Sequence, residues 1–415
     1  MRDFRAVSKV YPLRIDERGA NRVRGVFEGR NVPLIEDFAV EWALDPAAAG
    51  AMTSLTYRDP AKGGPGFFQA STLLADRKSD DGPRTVVALF DTSLSMQWEK
   101  LERSYRALEG LLHALRPADR FNLLVFNSEV TPFAAAPVPA TTDQVEKALA
   151  FVKSGSLRGG TNLEAALSQG LEQAGHGEGA PYLVLIGDGG ATKGAIRNGK
   201  LAAKYADAWK LLPAPRRPRT YVFGVGDDAN LPLLNLLAEN DGIVEWVRST
   251  EPMDFKLAAF LAKLGKRPQD RLNLTAVPKE NFDLVYPLES SFFPGSVASW
   301  VGQYRKPGVP ATFTAAGASA QVALPASNLD HPHLPRTWAK ARVDALLAKI
   351  EREGEDRASI DEIIRLSREY KFVTPYTSFL AAPHLSSDFA PPAGAKPFDG
   401  PVAALGYPPV VLPLD

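Results

Sequence analysis

The chain has 415 residues, enough for two or three domains, and its 48 Lys and Arg are balanced by 48 Asp and Glu. A nucleic-acid binder or a polybasic membrane protein is usually lopsided in charge, so neither class is favoured. With no cysteine, disulfides, thiolate catalysis and Cys-ligated zinc are excluded, and no apolar stretch reaches transmembrane length.

Residues 1–14 carry charges but no apolar core, unlike a secretory signal peptide. Over the first 80 residues the pattern is that of strands. FAVEWAL (38–44) alternates apolar and polar, the period of a half-buried strand, and residues 22–29 and 54–58 look similar. Gly, Pro, Asn and Asp punctuate between them.

From Thr85 the rhythm changes. TVVALFD is a short apolar run, as expected where both faces of a sheet are covered. Leu101, Tyr105, Leu108, Leu111 and Leu115 then recur at helical spacing. Strands are predicted at 120–128, 181–190, 219–228 and 243–249. Helices are predicted between them at TTDQVEKALAFVKS, TNLEAALSQGLEQA, KLAAKYADAWKLL and LPLLNLLAEN, and after them at MDFKLAAFLAKLG. This β-α alternation predicts an α/β fold: a doubly wound, mostly parallel sheet with helices on both faces.

Strands return from Asp270 with RLNLTAV, FDLVYPL, ASWVGQYR, ATFTAA and AQVALP. Two helices follow Pro335, TWAKARVDALLAKIERE and ASIDEIIRLSREYKF, with EREGEDR as a solvated turn between them. The expected organisation is a β-sandwich of residues 1–80 and 269–330 with the α/β unit, 81–268, inserted into it. A helical segment, 331–381, and a Pro-rich tail, 382–415, complete the chain. Insertion is preferred to two separate β units because a sandwich of about 60 residues buries little surface alone.

In a parallel α/β sheet, ligands bind beyond the carboxyl ends of the strands. Three segments deliver polar side chains there: VVALF leads to Asp91, Ser93 and Ser95, the loop LRGGTN to Thr161, and YLVLIGDGG to Asp188. Two carboxylates and three hydroxyls, with no His or Cys, are hard oxygen donors that suit Mg²⁺, Mn²⁺ or Ca²⁺ rather than zinc. Gly159, Gly160, Gly187, Gly189 and Gly190 let backbone approach such a cation. Taken singly, Asp91 or Thr161 reads as a helix cap and Asp188 as a turn residue. Asp227 and Asp228 read as turn or cap residues, the pair His331 and His333 as surface loop, and Trp98, Tyr105 and Trp338 as packing.

The order D-x-S-x-S, Thr, Asp resembles the metal-ion-dependent adhesion site of von Willebrand factor type A domains. Here it reads Asp91-Thr92-Ser93-Leu94-Ser95, Thr161 in GGTN and Asp188 in IGDGG. Leu94 stands where the family often has Gly. VPLIEDFAVEWAL resembles the end of a vault protein inter-alpha-trypsin domain. WAKARVDALLAKIE followed by SREYKFVTPYTSFLA is similar to the segment after the adhesion domain of inter-alpha-trypsin inhibitor heavy chains. The resemblance implies direct ligation by Ser93, Ser95 and Thr161, with Asp91 and Asp188 acting partly through water. It also implies a cation completed by the Asp or Glu of a protein partner, and a final domain helix, 253–264, able to shift by about one turn, ~5.4 Å.

Catalysis is not expected. DTSLSM is not the G-x-S-x-G elbow, no His sits in an equivalent loop, and no Walker loop is present. A cytosolic scaffold working beside an AAA+ ATPase is the alternative class. The compartment is expected to be cytoplasmic if Met1 is the native start and extracytoplasmic if the chain is a trimmed form. The richness in Ala, Pro and Arg points to a GC-rich bacterial gene, and nothing in the sequence specifies an oligomeric state.

Overall fold

A computed structural model describes residues 3–6, 11–19, 23–32, 40–43, 49–75, 82–249, 251–266, 272–289 and 291–378. Four short strands come first: β1 (Asp3–Ala6), β2 (Arg14–Arg18), β3 (Val23–Val26) and β4 (Val40–Ala43). β1 pairs with β4 and β2 with β3, both antiparallel. Of the strand expected at 38–44, residues 38, 39 and 44 lie outside the described residues, as does the Pro-rich tail. Next come β5 (Met52–Tyr57) and β6 (Gly66–Leu73).

The α/β unit starts with β7 (Arg84–Asp91) and α1 (Glu99–His113), then β8 (Arg120–Phe126) and two short strands, β9 (Val130–Pro132) and β10 (Val138–Pro139). It continues through α2 (Thr142–Lys153), α3 (Leu163–His176), β11 (Ala180–Gly187), α4 (Asn198–Leu211) and β12 (Arg219–Val225). It closes with α5 (Leu231–Ala238), β13 (Ile243–Val247) and α6 (Asp254–Lys263). The sheet order is β10-β8-β7-β11-β12-β13, with β9 also on β8. β8, β7, β11, β12 and β13 run parallel, while β9 and β10 are antiparallel to β8.

Every residue of β7 is buried, because both faces of the sheet are covered. Val86, Ala88 and Phe90 enter a core shared with Leu108 and Leu111 of α1, Leu149 of α2 and Phe260 of α6. Val87 and Leu89 point the other way, to Leu167 and Leu171 of α3, Tyr205 of α4 and Leu234 of α5. Each such Leu or Phe is worth about 1.5–3 kcal/mol when fully buried. The chain steps from β7 to β8 on one side and then returns to β11 on the other. The strand order therefore reverses between β7 and β11, the crevice where ligands collect in open α/β sheets.

After the α/β unit come β14 (Thr275–Val277), β15 (Phe282–Pro287), β16 (Val297–Tyr304), β17 (Ala311–Ala315) and β18 (Ala318–Val322). Two helices follow, α7 (Leu334–Glu353) and α8 (Arg357–Tyr370). β6 pairs with β16 along its whole length, from Gly66 opposite Tyr304 to Leu73 opposite Val297. Strands before and after the α/β unit thus share one sheet, ordered β15-β16-β6-β5. Among the described residues of 1–80, β5 and β6 are the strands that enter it.

One face of this sheet packs Phe68, Ala70 and Tyr304 against Phe313, Val322 and Leu324 of the sheet β14-β17-β18 and its exit. The other packs Tyr57, Phe67 and Val301 against Trp338, Val343 and Ile363 of α7 and α8. Trp338 is buried, and its indole N–H donates to Leu284 O at 3.0 Å. α7 also leans on α4 and α5, and Arg352 pairs with Glu239 at 2.7 Å. Between the two helices, Gly354 ends α7 at φ 97° and Asp356 caps α8 by accepting from Ser359 N at 2.9 Å.

Candidate metal centre

β7 ends on Asp91, which is 1% exposed. Its Oδ1 accepts the Ser93 N–H at 2.8 Å, folding the chain back over the strand end before a 3-10 turn, Leu94–Met96. Ser93 is buried and Ser95 exposed, and their hydroxyls lie 3.0 Å apart. A second loop is strapped to this turn by backbone bonds: Arg158 N donates to Thr92 O (3.1 Å) and Leu94 N to Gly159 O (3.2 Å). That loop carries Thr161, also buried. Thr161 N donates to Thr192 Oγ1 at 2.7 Å, and its carbonyl accepts from the N–H groups of Thr192 (2.9 Å) and Lys193 (3.0 Å).

Asp188 follows β11 and is 3% exposed. Its Oδ1 accepts from Gly190 N at 2.9 Å, and its Oδ2 faces the Lys100 ammonium at 3.1 Å. Lys100 Nζ also contacts Asp228, at 2.5 Å to Oδ1 and 2.7 Å to Oδ2. The close approach of the two strand ends depends on Gly187, where a Cβ would stand 2.8 Å from the Asp91 Cβ.

The capping explanations fail for two of the five residues. Asn162, not Thr161, caps α3 by accepting from Ala165 N at 3.2 Å. α1 is preceded by Trp98, seven residues beyond Asp91. Asp188 does close a turn with Gly190, but with one oxygen only.

Electrostatics at the site are set by its two buried acids and by Lys100. Burial, reinforced by the Asp188 charge, raises the Asp91 carboxyl to about 7 against the lowering effect of its bonds from Ser93. Burial alone would depress the Lys100 ammonium, yet its bonds to Asp228 and Asp188 outweigh burial and raise it. Asp228 is lowered, chiefly by its bond from Lys100.

The donor set fits a hard divalent cation: two carboxylates and the hydroxyls of Ser93, Ser95 and Thr161. Among the described residues no three His, Cys, Asp or Glu side chains gather into a metal-holding group, so such a cation would depend on the hydroxyls.

Three participants were not foreseen. Lys100 and Asp228 meet only in three dimensions, and Asp228, in a turn after β12 as expected, is also an ion-pair partner. Thr192 fixes the Thr161 backbone. Trp98, expected to pack, is 85% exposed at φ 62°, because the chain turns there in the left-handed region and points the ring away from the core. Tyr105 is partly buried against the core, with Lys153 Nζ 5.0 Å from its ring centre.

Comparison with known proteins gives this geometry a family. Residues 84–243 match the von Willebrand factor type A domain. Over 344 residues the chain is 26% identical to inter-alpha-trypsin inhibitor heavy chain H1 of Bos taurus, covering 76% of this chain and 37% of that one. It is 25% identical over 339 residues to heavy chain H4 of Homo sapiens, covering 72% and 34%. The chain therefore spans little more than a third of the length of these relatives. Among solved structures, a von Willebrand factor type A protein from Catenulispora acidiphila aligns over 78% of this chain and 84% of that chain, at 14% identity and a TM-score of 0.42. Residues 84–243 are a von Willebrand factor type A domain, carried by a chain that is similar over about three quarters of its length to the inter-alpha-trypsin inhibitor heavy chains.

Proposed function

We propose that the protein is a cation-dependent protein-binding module whose site is formed by Asp91, Ser93, Ser95, Thr161 and Asp188. The observation that carries this reading is the pair of buried acids, Asp91 and Asp188, at the point where the strand order reverses. Bound there, a divalent cation (Mg²⁺, with Mn²⁺ or Ca²⁺ as alternatives) would supply a positive centre for an Asp or Glu side chain of a partner protein. The chain's own residues provide the rest. Asp91 is held by the Ser93 N–H and Asp188 by the Gly190 N–H, so each carboxylate is oriented by backbone. The Ser93 and Ser95 hydroxyls add donors without adding negative charge, which leaves a bound cation short of neutralisation and receptive to an external carboxylate. Ser95 and Leu94 form the exposed lip where that carboxylate would arrive.

Calorimetric titration of Mg²⁺, Mn²⁺ and Ca²⁺ into the wild type and into an Asp91→Ala, Ser93→Ala double variant tests this. One saturable site in the wild type, absent from the variant, is expected. Acidic peptide should then bind only with the cation present. Partner binding that survives chelation would overturn the proposal.

A further inference from the structure

Among the described residues, Lys100 is the cation in contact with an acid of the site, Asp188, and its path is built. It leaves the first turn of α1, and its stem passes over Gly226 at the end of β12. A Cβ on Gly226 would lie 2.6 Å from the Lys100 Cε, 2.9 Å from the Asp228 Oδ1 and 3.1 Å from the Lys100 Cδ, so a side chain there would make the lysine stem shift. Gly226 also has φ +101°, which only glycine adopts without strain. Its N–H donates to Val247 O at 2.9 Å and its carbonyl accepts the Trp246 indole N–H at 2.8 Å, so the passage is held rigid.

The ammonium bridges two carboxylates of different character. The Asp188 side chain is 4% exposed and the Asp228 side chain 69% exposed, while Lys100 itself is 13% exposed. The inner acid belongs to the donor set, and the outer one does not.

We propose that Lys100 is a tethered counter-ion of the cation site: it neutralises Asp188 when no divalent cation is bound and is retained by Asp228 alone when one is. The Lys100–Asp228 pair thereby sets the affinity for the cation. This rests on the cation reading above. A divalent ion entering beside Asp188 meets a fixed positive charge and must displace it. The flexible four-carbon stem allows the displacement, and Asp228, outside the donor set, gives the ammonium a place to stay. Without Asp228, Asp188 is the ion-pair partner left to Lys100 among the described residues, and the ammonium competes harder with the ion.

Isothermal titration with Mg²⁺ and Mn²⁺ on the full chain distinguishes the outcomes. Lys100→Met should bind about tenfold more tightly than the wild type, and Asp228→Asn about tenfold more weakly. The decisive measurement is the double variant. If Asp228 acts through Lys100, then Lys100→Met with Asp228→Asn binds like Lys100→Met alone. If Asp228→Asn weakens binding equally in both backgrounds, Asp228 acts by its own charge and the tether is overturned. Equal affinities for wild type and Lys100→Met would make Lys100 a bystander while leaving the cation reading intact. Binding by Lys100→Met but not by wild type would support the proposal in its strongest form. Binding by neither would overturn the cation reading and this inference with it. Lys100→Gln, which keeps a donor and loses the charge, covers the case in which the Met variant does not fold.

Discussion

A single strand, β7, begins at Arg84 and ends at Asp91, and a buried aspartate sits at each of its ends. At the first end, Asp119 is fully buried and fully answered. Its Oδ1 accepts from Arg84 N (2.9 Å), and its Oδ2 accepts from Arg84 Nε (3.0 Å) and Arg116 N (2.8 Å). Burial opposes its ionisation, but the bonds from Arg84 and Arg116 win and hold the carboxyl at about 2. At the other end, Asp91 is buried as deeply but accepts one backbone N–H beside a second acid, and its carboxyl is pushed up to about 7. Residue type and depth are the same, and only the partners differ. The first end is satisfied and serves stability, while the second is left short of positive charge, as the proposed cation site requires.

The sharpest way to break this contrast is Asp119→Ala, which strands the buried Arg84 guanidinium. We expect a loss of about 3–5 kcal/mol in chemical denaturation. A loss below about 1 kcal/mol would show that Arg84 finds another partner. The pH dependence separates the two ends next. Asp119, with its folded value depressed, contributes stability that is present above about pH 4 and lost as pH falls through about 2, up to about 2.5 kcal/mol. Asp91, with its folded value raised, contributes in the opposite sense: its stabilisation is present below about pH 4 and lost as pH rises through about 7. Melting curves in chelator from pH 4 to 8 should show the wild type gaining on Asp91→Asn as pH falls. A constant difference across that range would contradict the assignment. At pH 7 in chelator, Asp91→Asn should melt at or above the wild type temperature, because it removes an undercompensated buried charge. A fall of several degrees would mean that Asp91 is structural. The smallest effect is expected for Trp98→Ala, whose ring is exposed: stability should change by no more than about 0.5 kcal/mol, read by the same denaturation.

The candidate donors stood out in the sequence because Asp91, Ser93, Ser95 and Asp188 come after apolar runs and Thr161 comes just before a helix, which puts the first four beyond strand ends and Thr161 in the loop ahead of α3. The α/β elements were legible for the same reason. β6 was not, because it is buried on both faces: Phe67 meets the helices and Phe68 the facing sheet, which erases the alternation that marks a half-covered strand. β9 and β10, three and two residues long, are too short to carry a period. Lys100 and Asp228 are 128 positions apart, and only the parallel stacking of β7, β11 and β12 brings α1 over the end of β12. Trp98 misleads because its size argues for burial while its backbone turns it outward.

The pairing of β6 with β16 also bears on how the chain folds. Ser71 and Ser299, whose hydroxyls bond across these strands at 3.1 Å, are 228 positions apart, and closing so long a loop from a disordered chain is slow. The α/β unit shortens that search. Its entry and exit meet, since a Cβ on Gly265 would stand 3.0 Å from a terminal nitrogen of Arg84. Once the α/β unit has formed, Arg84 at its start and Gly265 at its end lie against each other. A β6–β16 sheet that closes after that point has a far shorter effective loop to close, with the α/β unit as its template.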